Sequence, residues 1–232
     1  LTKLMYNISY PLQKQSKLNN NIFKPILSLR YSPNITKNQT NDDQKLDSSN
    51  INSFDRIYGS DSIEGGQSAT LGFEYKKENF EGNEMVNFEM YQVLRDIENH
   101  DLPNKTTLNQ KYSDIIGRLK INTLDNLNLQ YNFMLDNNLD DTNLNSVLAE
   151  ITVNNFVTNF EFLEERNLVG SKSFISNTTS YKFDEKNSIR FATRRNKEID
   201  LTEFYNLVYQ YENDCLRAAL EYNKQFYSDA DI

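Results

Sequence analysis

The chain has 232 residues, 38% of them hydrophobic, with a mean hydropathy of -0.72 and a net charge of -8. No run of about 18 apolar residues occurs, which excludes an ordinary transmembrane helix. The acidic balance and the lack of a clustered basic surface exclude a typical nucleic-acid binder. A membrane barrel stays open, because a barrel strand needs only alternate residues to be apolar, over roughly 9–11 positions.

From the N-terminus, alternating runs predict strands near residues 4–10, 22–31, 67–77, 84–95, 111–121, 126–136, 143–153, 155–165, 171–183, 187–197, 201–211 and 214–226, about twelve in all. The clearest is 126–136, where Leu127, Leu129, Tyr131, Phe133 and Leu135 alternate with Asn126, Asn128, Gln130, Asn132 and Met134. A two-residue period sends successive side chains to opposite faces, so each such strand meets two environments. Asn122-Thr123-Leu124-Asp125 and Asp184-Glu185-Lys186-Asn187 suit tight turns, since Asn and Asp satisfy turn backbones locally. Residues 33–53 form the longest polar stretch, with little to bury. Tyr10, Tyr31, Tyr112 and Tyr211 fall near strand ends, where a headgroup-level girdle would place them, although the chain has no Trp.

The tail reads as a hairpin. Tyr205, Leu207, Tyr209 and Tyr211 share one face of the first run, and Leu216, Ala218, Leu220 and Tyr222 repeat the pattern after the turn Glu212-Asn213-Asp214. Cys215, Arg217, Ala219, Glu221 and Asn223 take the opposite face. A single cysteine cannot form an internal disulfide. Its spacing fits equally a thiol bonded outside this chain and a free buried cysteine.

Two architectures fit the pattern: an antiparallel transmembrane barrel, and a soluble all-β sandwich or solenoid with one wet face. Only 7 Gly and 4 Pro occur, sparse for a turn-rich sandwich, and strands near ten residues exceed the usual five or six. No fixed-period repeat supports a solenoid. The chain opens Leu1-Thr2-Lys3, with neither an initiating Met nor a signal segment, and reads as a fragment.

The segment Asn50 to Gly66 resembles a loop-to-strand signature of the LptD family of outer-membrane lipopolysaccharide-assembly proteins, N-L-F-S-L-N-R-F-x-G-x-D-R-V-E-x-G. Asn50, Ser53, Arg56, Gly59, Asp61, Glu64 and Gly66 match without gaps. Ser62 stands where the family usually has Arg, and Asp55 where it often has Asn. Pro25-Ile26 through Tyr31-Ser32-Pro33-Asn34 is similar to the family's E-P-I-x-x-L-x-x-S-P-N strand, Ser113-Asp114-Ile115-Ile116-Gly117 to its S-D-I-V-G, and Leu135-Asp136 to its R-L-D turn. Tyr211-Glu212-Asn213-Asp214-Cys215 resembles its Y-E-D-D-C hairpin, and the ending at Asp229-Ala230-Asp231-Ile232 its R-D-x-D-I.

The resemblance implies that residues 1–232 are the C-terminal part of a large outer-membrane β-barrel in a Gram-negative bacterium. The expected sheet is open and curved, lacking the barrel's first half and its last strand. The implied function is insertion of lipopolysaccharide into the outer leaflet of the outer membrane. The implied partners are lipopolysaccharide, a plug lipoprotein of the LptE type, a periplasmic bridge protein of the LptA type reached through an N-terminal domain, and outer-membrane lipid. Cys215 matches a family position that forms disulfides with distant segments; with Asp214 beside it, one such bridge at most starts here. Asn50, Arg56, Gly59, Asp61, Glu64, Gly65 and Gly66 are the candidate lumen or loop motif. Arg56, Asp61 and Glu64 are expected either to pair with one another or to line the lumen, against the alternative of a purely structural loop. Leu127, Leu129, Tyr131, Phe133, Leu135, Leu216, Leu220 and Tyr222 are expected to face lipid.

No enzyme is expected, and no catalytic, cofactor or metal residue is assigned. His100 sits in the polar connector Glu98-Asn99-His100-Asp101-Leu102-Pro103 without a nucleophile motif, and Asp136, Asp140 and Asp141 lack the calcium-loop spacing. The alternatives are a general porin or receptor-type barrel and a soluble β-rich adhesin module. A charge on the apolar face separates the adhesin from the barrels. Leu129→Arg is expected to cost about 2–4 kcal/mol at mid-bilayer depth, read by urea titration of vesicle-inserted protein; full tolerance would contradict the assigned strand phase.

Overall fold

The structure, a computed structural model, describes residues 2–37, 44–57, 62–124 and 126–226. Among them are thirteen strands: β1 (Leu4–Ser9), β2 (Leu12–Gln15), β3 (Asn19–Ser32), β4 (Gly66–Asn79), β5 (Glu84–Arg95), β6 (Ile115–Leu124), β7 (Leu127–Leu135), β8 (Thr142–Val153), β9 (Phe156–Glu165), β10 (Ser173–Lys182), β11 (Asn187–Asn196), β12 (Leu201–Glu212) and β13 (Arg217–Gln225). They follow one antiparallel, open-sheet order, β1-β3-β4 and then consecutively to β13, with β2 also on β3. The only helical element among the described residues is the short 3-10 turn Asn104–Thr106. The chain is therefore all-β and antiparallel, consistent with part of a β-barrel.

Several boundaries differ from the alternation reading, each for a local reason. Pro11 lacks an N–H and separates β1 from β2; β2 carries Leu12 alone among polar residues, too weak a pattern to read. β3 starts at Asn19 because its polar residues continue the ladder, Asn20 pairing with Glu78 of β4 and donating to its carboxylate at 3.1 Å. β6 begins only at Ile115. Tyr112 makes an isolated bridge to Leu94, and Ser113 is drawn into a buried turn, accepting from the Val93 N–H (2.9 Å) and donating to the Asp114 carbonyl (2.8 Å). The expected connector 122–125 is partly strand, since β6 continues to Leu124; Asp125 lies outside the described residues. β13 starts at Arg217, so Cys215 and Leu216 belong to the turn before it.

The chain divides into two compact units: residues 1–121, 131–145 and 165–171, and residues 122–130, 146–164 and 172–232. In the first, β5 shows the alternation plainly. Asn87, Glu89, Tyr91, Val93 and Arg95 are buried on one face, while Val86, Phe88, Met90, Gln92 and Leu94 take the other. The same parity runs through β3 and β4, where Ser28, Arg30, Ser32, Ser68 and Thr70 are buried and Leu29, Tyr31 and Leu71 are exposed. The polar face is thus the covered one. Its cover is chain from the long connections: Leu46, Ile51 and Ile57 from the β3–β4 connection, Leu102 and Leu108 from β5–β6, and Val169 from β9–β10 pack with Tyr91, Val93, Ile116 and Met134. This corrects the reading of residues 33–53 as having little to bury. Leu46 and Ile51 are among the most buried side chains of all, while Ile35 in the same stretch is exposed.

Two glycines in this unit hold aromatic rings. A Cβ on Gly72 would fall 2.0 Å from the ring of Tyr91, its cross-strand partner, and one on Gly117 would fall 2.0 Å from the ring of Phe133. In both cases the ring occupies the space a side chain would need. Phe133 also lies against Phe88, with ring centroids 6.5 Å apart.

In the second unit the registers collect one face as Tyr181, Ile189, Phe191, Tyr205, Leu207, Tyr209, Leu220 and Tyr222, through pairs such as Ile189↔Tyr209, Leu207↔Tyr222 and Tyr209↔Leu220. The other face carries Ser176, Ser180, Arg190, Arg194, Asn206, Gln210, Glu221 and Asn223. Leu220 and Tyr222 are 75% and 60% exposed. Turns here close through Asx contacts: Asp184 Oδ1 accepts from the Lys186 and Asn187 N–H groups at 2.8 and 2.7 Å. The side-chain amide of Asn187 foremost, and then these N–H groups, hold the Asp184 pKa below the usual carboxylate range.

Candidate functional site

The connection from β3 to β4 builds the site. After Ser32-Pro33, residues 36–37 run antiparallel to 62–63, with Lys37 and Ile63 exchanging backbone hydrogen bonds at 3.0 and 2.7 Å. Asp47 then closes a turn, its Oδ1 accepting from the N–H groups of Ser49 (2.7 Å) and Asn50 (3.0 Å). Asn50 locks the same turn, accepting from Asp47 N–H and donating to the Lys45 carbonyl, both at 2.9 Å. These bonds aim Leu46 and Ile51 into the apolar cluster. Lys45 pairs with the carboxylate of Glu165, at the end of β9.

Glu64 is the centre of a buried ionic group. Its Oε2 accepts from Arg56 Nε at 2.8 Å, and a second Arg56 nitrogen bonds Oε1, a bidentate pair. Arg95 also donates to Oε1 at 2.8 Å, and Arg30 stands 3.9 Å from Oε2. The arginines bind the loop as well as the carboxylate. Arg30 donates to the carbonyls of Ser53 and Phe54, Arg95 to that of Gly65, and Arg56 to the hydroxyls of Thr70 (3.2 Å) and Ser68 (2.9 Å) on β4. Arg56 is 1% exposed and Glu64 3%. Burial by itself would push the Glu64 carboxyl up; the three guanidiniums, Arg56 foremost, overcome it and hold the pKa at about 2.

The glycines permit this approach. Gly65 lies so close to the β3 exit that a Cβ would sit 2.2 Å from the Asn34 carbonyl oxygen, and Gly66 opens β4 at φ +91, a backbone that other residues rarely adopt. Gly59 and Asp61, expected in the same motif, lie outside the described residues. Of that motif the structure therefore brings together Arg56, Glu64, Gly65 and Gly66, and places Asn50 in the supporting turn. Arg30 and Arg95 were missed by the sequence reading. Their signal was present: Arg30 alternates with Ser28 and Ser32, and Arg95 shares a strand face with Asn87, Glu89, Tyr91 and Val93, and such a charge needs a counter-charge when covered.

A second polar knot lies beside the first. Asn143 donates to Asp114 at 2.8 Å and accepts from Asn167 at 2.6 Å, while Thr107 Oγ1 accepts from the Asp114 N–H at 2.9 Å. Burial raises the Asp114 pKa, the Asn143 amide opposes it, and the charge of Asp136 adds to the rise. This is where the Ser113-Asp114 motif does its packing.

The other assigned residues separate. Leu127, Leu129, Tyr131, Phe133 and Leu135 share one face of β7 by parity. Leu220 and Tyr222 lie on the apolar face of β13, and Leu216 in the turn preceding it. Cys215 is exposed in that turn, its N–H donating to Asn213 Oδ1 at 3.0 Å. His100 is exposed, 4.0 Å from Glu98. Asp136 Oδ1 caps the turn that contains Asp140 and Asp141, accepting from both N–H groups. No group of three His, Cys, Asp or Glu among the described residues is placed to hold a metal ion.

An antiparallel sheet with its apolar face open and its polar face packed by long connections has the inverted design of outer-membrane β-barrel proteins. The model of the family described as LPS transport system D, LptD, matches residues 3–208, and the chain belongs to that family. No curated protein matches the chain. Membership gives the chain a role in lipopolysaccharide transport to the outer membrane, a transport and assembly role.

The Glu64 group makes a sharp test. Glu64→Gln removes the carboxylate shared by three arginines and is expected to cost about 3–5 kcal/mol, as for other broken buried pairs. Because the folded pKa lies below the free value of 4.5, the wild-type contribution is complete above that pH and is lost as pH falls through about 2. Denaturation followed across that window should show an acid-sensitive step that Glu64→Gln lacks. An unchanged acid limb would remove Glu64 as the linkage group.

Proposed function

We propose that this chain forms part of the wall of the translocon that inserts lipopolysaccharide into the outer leaflet of the outer membrane. The observation that carries this reading is the inverted sheet: an exposed aliphatic and aromatic face beside a polar face packed by a loop that Glu64 and three arginines hold. A lipid with sugars and acyl chains needs both media at once, and such a wall separates them within one strand thickness. The work is passage and placement, with no bond made or broken. In this reading the protein acts with an LptE-type plug lipoprotein and receives lipopolysaccharide through an LptA-type bridge, and it resides in the outer membrane of a Gram-negative cell.

Cells depending on the Arg56→Ala protein are expected to show less lipopolysaccharide at the surface and greater entry of large hydrophobic antibiotics. Normal surface lipopolysaccharide at normal protein level would count against the loop as part of the translocation machinery, and a change in small-solute flux alone would favour a porin.

The reading extends to Cys215, whose exposed position in a tight turn leaves the thiol accessible to a cysteine outside this chain. A non-reducing gel of the envelope protein should show a migration shift that reduction abolishes and Cys215→Ser removes. The same migration in all three lanes would eliminate that bond.

A further inference from the structure

On the first unit a groove of about 740 Å³ crosses β1, β3, β4 and β5. Its volume is within the range of small-ligand sites, roughly 300–1,000 Å³. The registers explain it. Tyr6↔Leu29, Leu29↔Ala69 and Ala69↔Leu94 form a single cross-strand row on the apolar face. Ala69 is the small member of that row, so the larger side chains on both sides become walls and the backbone beneath becomes the floor. Tyr6 and Leu29 are 67% and 45% exposed. The groove ends toward the long connections at Gln67 and Asp96, both exposed. The neighbouring arginines, Arg30 and Arg95, send their guanidiniums to the opposite face, where they bind Glu64 and the loop.

We infer that this groove is a binding site for one bilayer phospholipid, an acyl chain lying over Ala69 and an amine-bearing headgroup meeting the Asp96 carboxylate. The inference rests on the membrane-wall reading above. An apolar trough open to the bilayer core takes hydrocarbon, and its shape gives more contact to a chain than the flat sheet does. The charge at its mouth on this face is negative, which complements an ammonium headgroup and opposes a phosphate without one. Gln67 supplies a neutral donor and acceptor beside it.

The chain contains no Trp, so a single introduced indole reports alone. Leu94→Trp places it in the groove wall, and Leu207→Trp places it on the apolar face of the second unit as a comparison. Protein is reconstituted in phosphatidylethanolamine with brominated acyl chains and then diluted into excess unbrominated vesicles. The expected result is quenching of both indoles, with quenching at Leu94→Trp relieved several-fold more slowly than at Leu207→Trp. Ala69→Phe, which fills the trough, should abolish the slow component, and Asp96→Asn should abolish its preference for phosphatidylethanolamine over phosphatidylglycerol. Equal relief at both sites would overturn the groove while leaving the membrane face intact. Absence of quenching at both would overturn the membrane reading, and the groove with it. The comparison of the two indoles stands even where Ala69→Phe fails to fold.

Discussion

Glu64 is a carboxylate that three arginines share in a place water does not reach, and much of the first unit depends on that arrangement. Arg30 and Arg95 come from β3 and β5, Arg56 from the connection between β3 and β4, and Glu64 from the residue pair preceding β4. The single anion therefore ties three strands to the loop that covers them. Charges this buried are costly unless their geometry is complete. Here the bidentate Arg56 pair, the carbonyls of Ser53, Phe54 and Gly65, and the hydroxyls of Ser68 and Thr70 supply most of the partners. The apolar cluster around Leu46, Ile51 and Leu108 packs on the same covered face.

The loop and the sheet divide the labour that a soluble protein assigns to one core. Burial is achieved on the polar face by chain that is itself mostly polar, with a few aliphatic side chains aimed by Asx turns such as the one at Asp47. The apolar face is left exposed. A chain of mean hydropathy -0.72 can live in a membrane on these terms, because the average conceals a separation by face.

That separation was legible in the sequence, since strand parity depends only on residue type at alternate positions. Leu127 to Leu135, and Tyr205 to Tyr211, announce their faces without any partner being known. The loop was not legible in the same way. Leu46 and Ile51 are isolated apolar residues in a polar run, and only the turn bonds of Asp47 and Asn50 show that they point together. The family motif marked Arg56, Asp61 and Glu64, to pair with one another or to line the lumen. Arg30 and Arg95, on two different strands, could be joined to them only when the register was in hand. Strand ends went astray where a local contact outweighed alternation, as at Ser113, which bonds Val93 and Asp114 instead of extending β6.

The ring-on-glycine contacts bear on a problem that alternation leaves unsolved. A slip of one residue between neighbouring strands would turn the apolar side chains to the wrong face and is strongly opposed. A slip of two residues preserves every face and costs the pattern almost nothing. Gly72 breaks that degeneracy. Tyr91 fits over it, whereas a two-residue slip would set the ring against Thr70 or Glu74, where a side chain already fills the space. Gly117 does the same for Phe133 on the opposite face. Two residues without side chains thus give β4 on β5, and β6 on β7, a unique alignment, and the first of these brings Arg95 level with Ser68, beside the carboxylate.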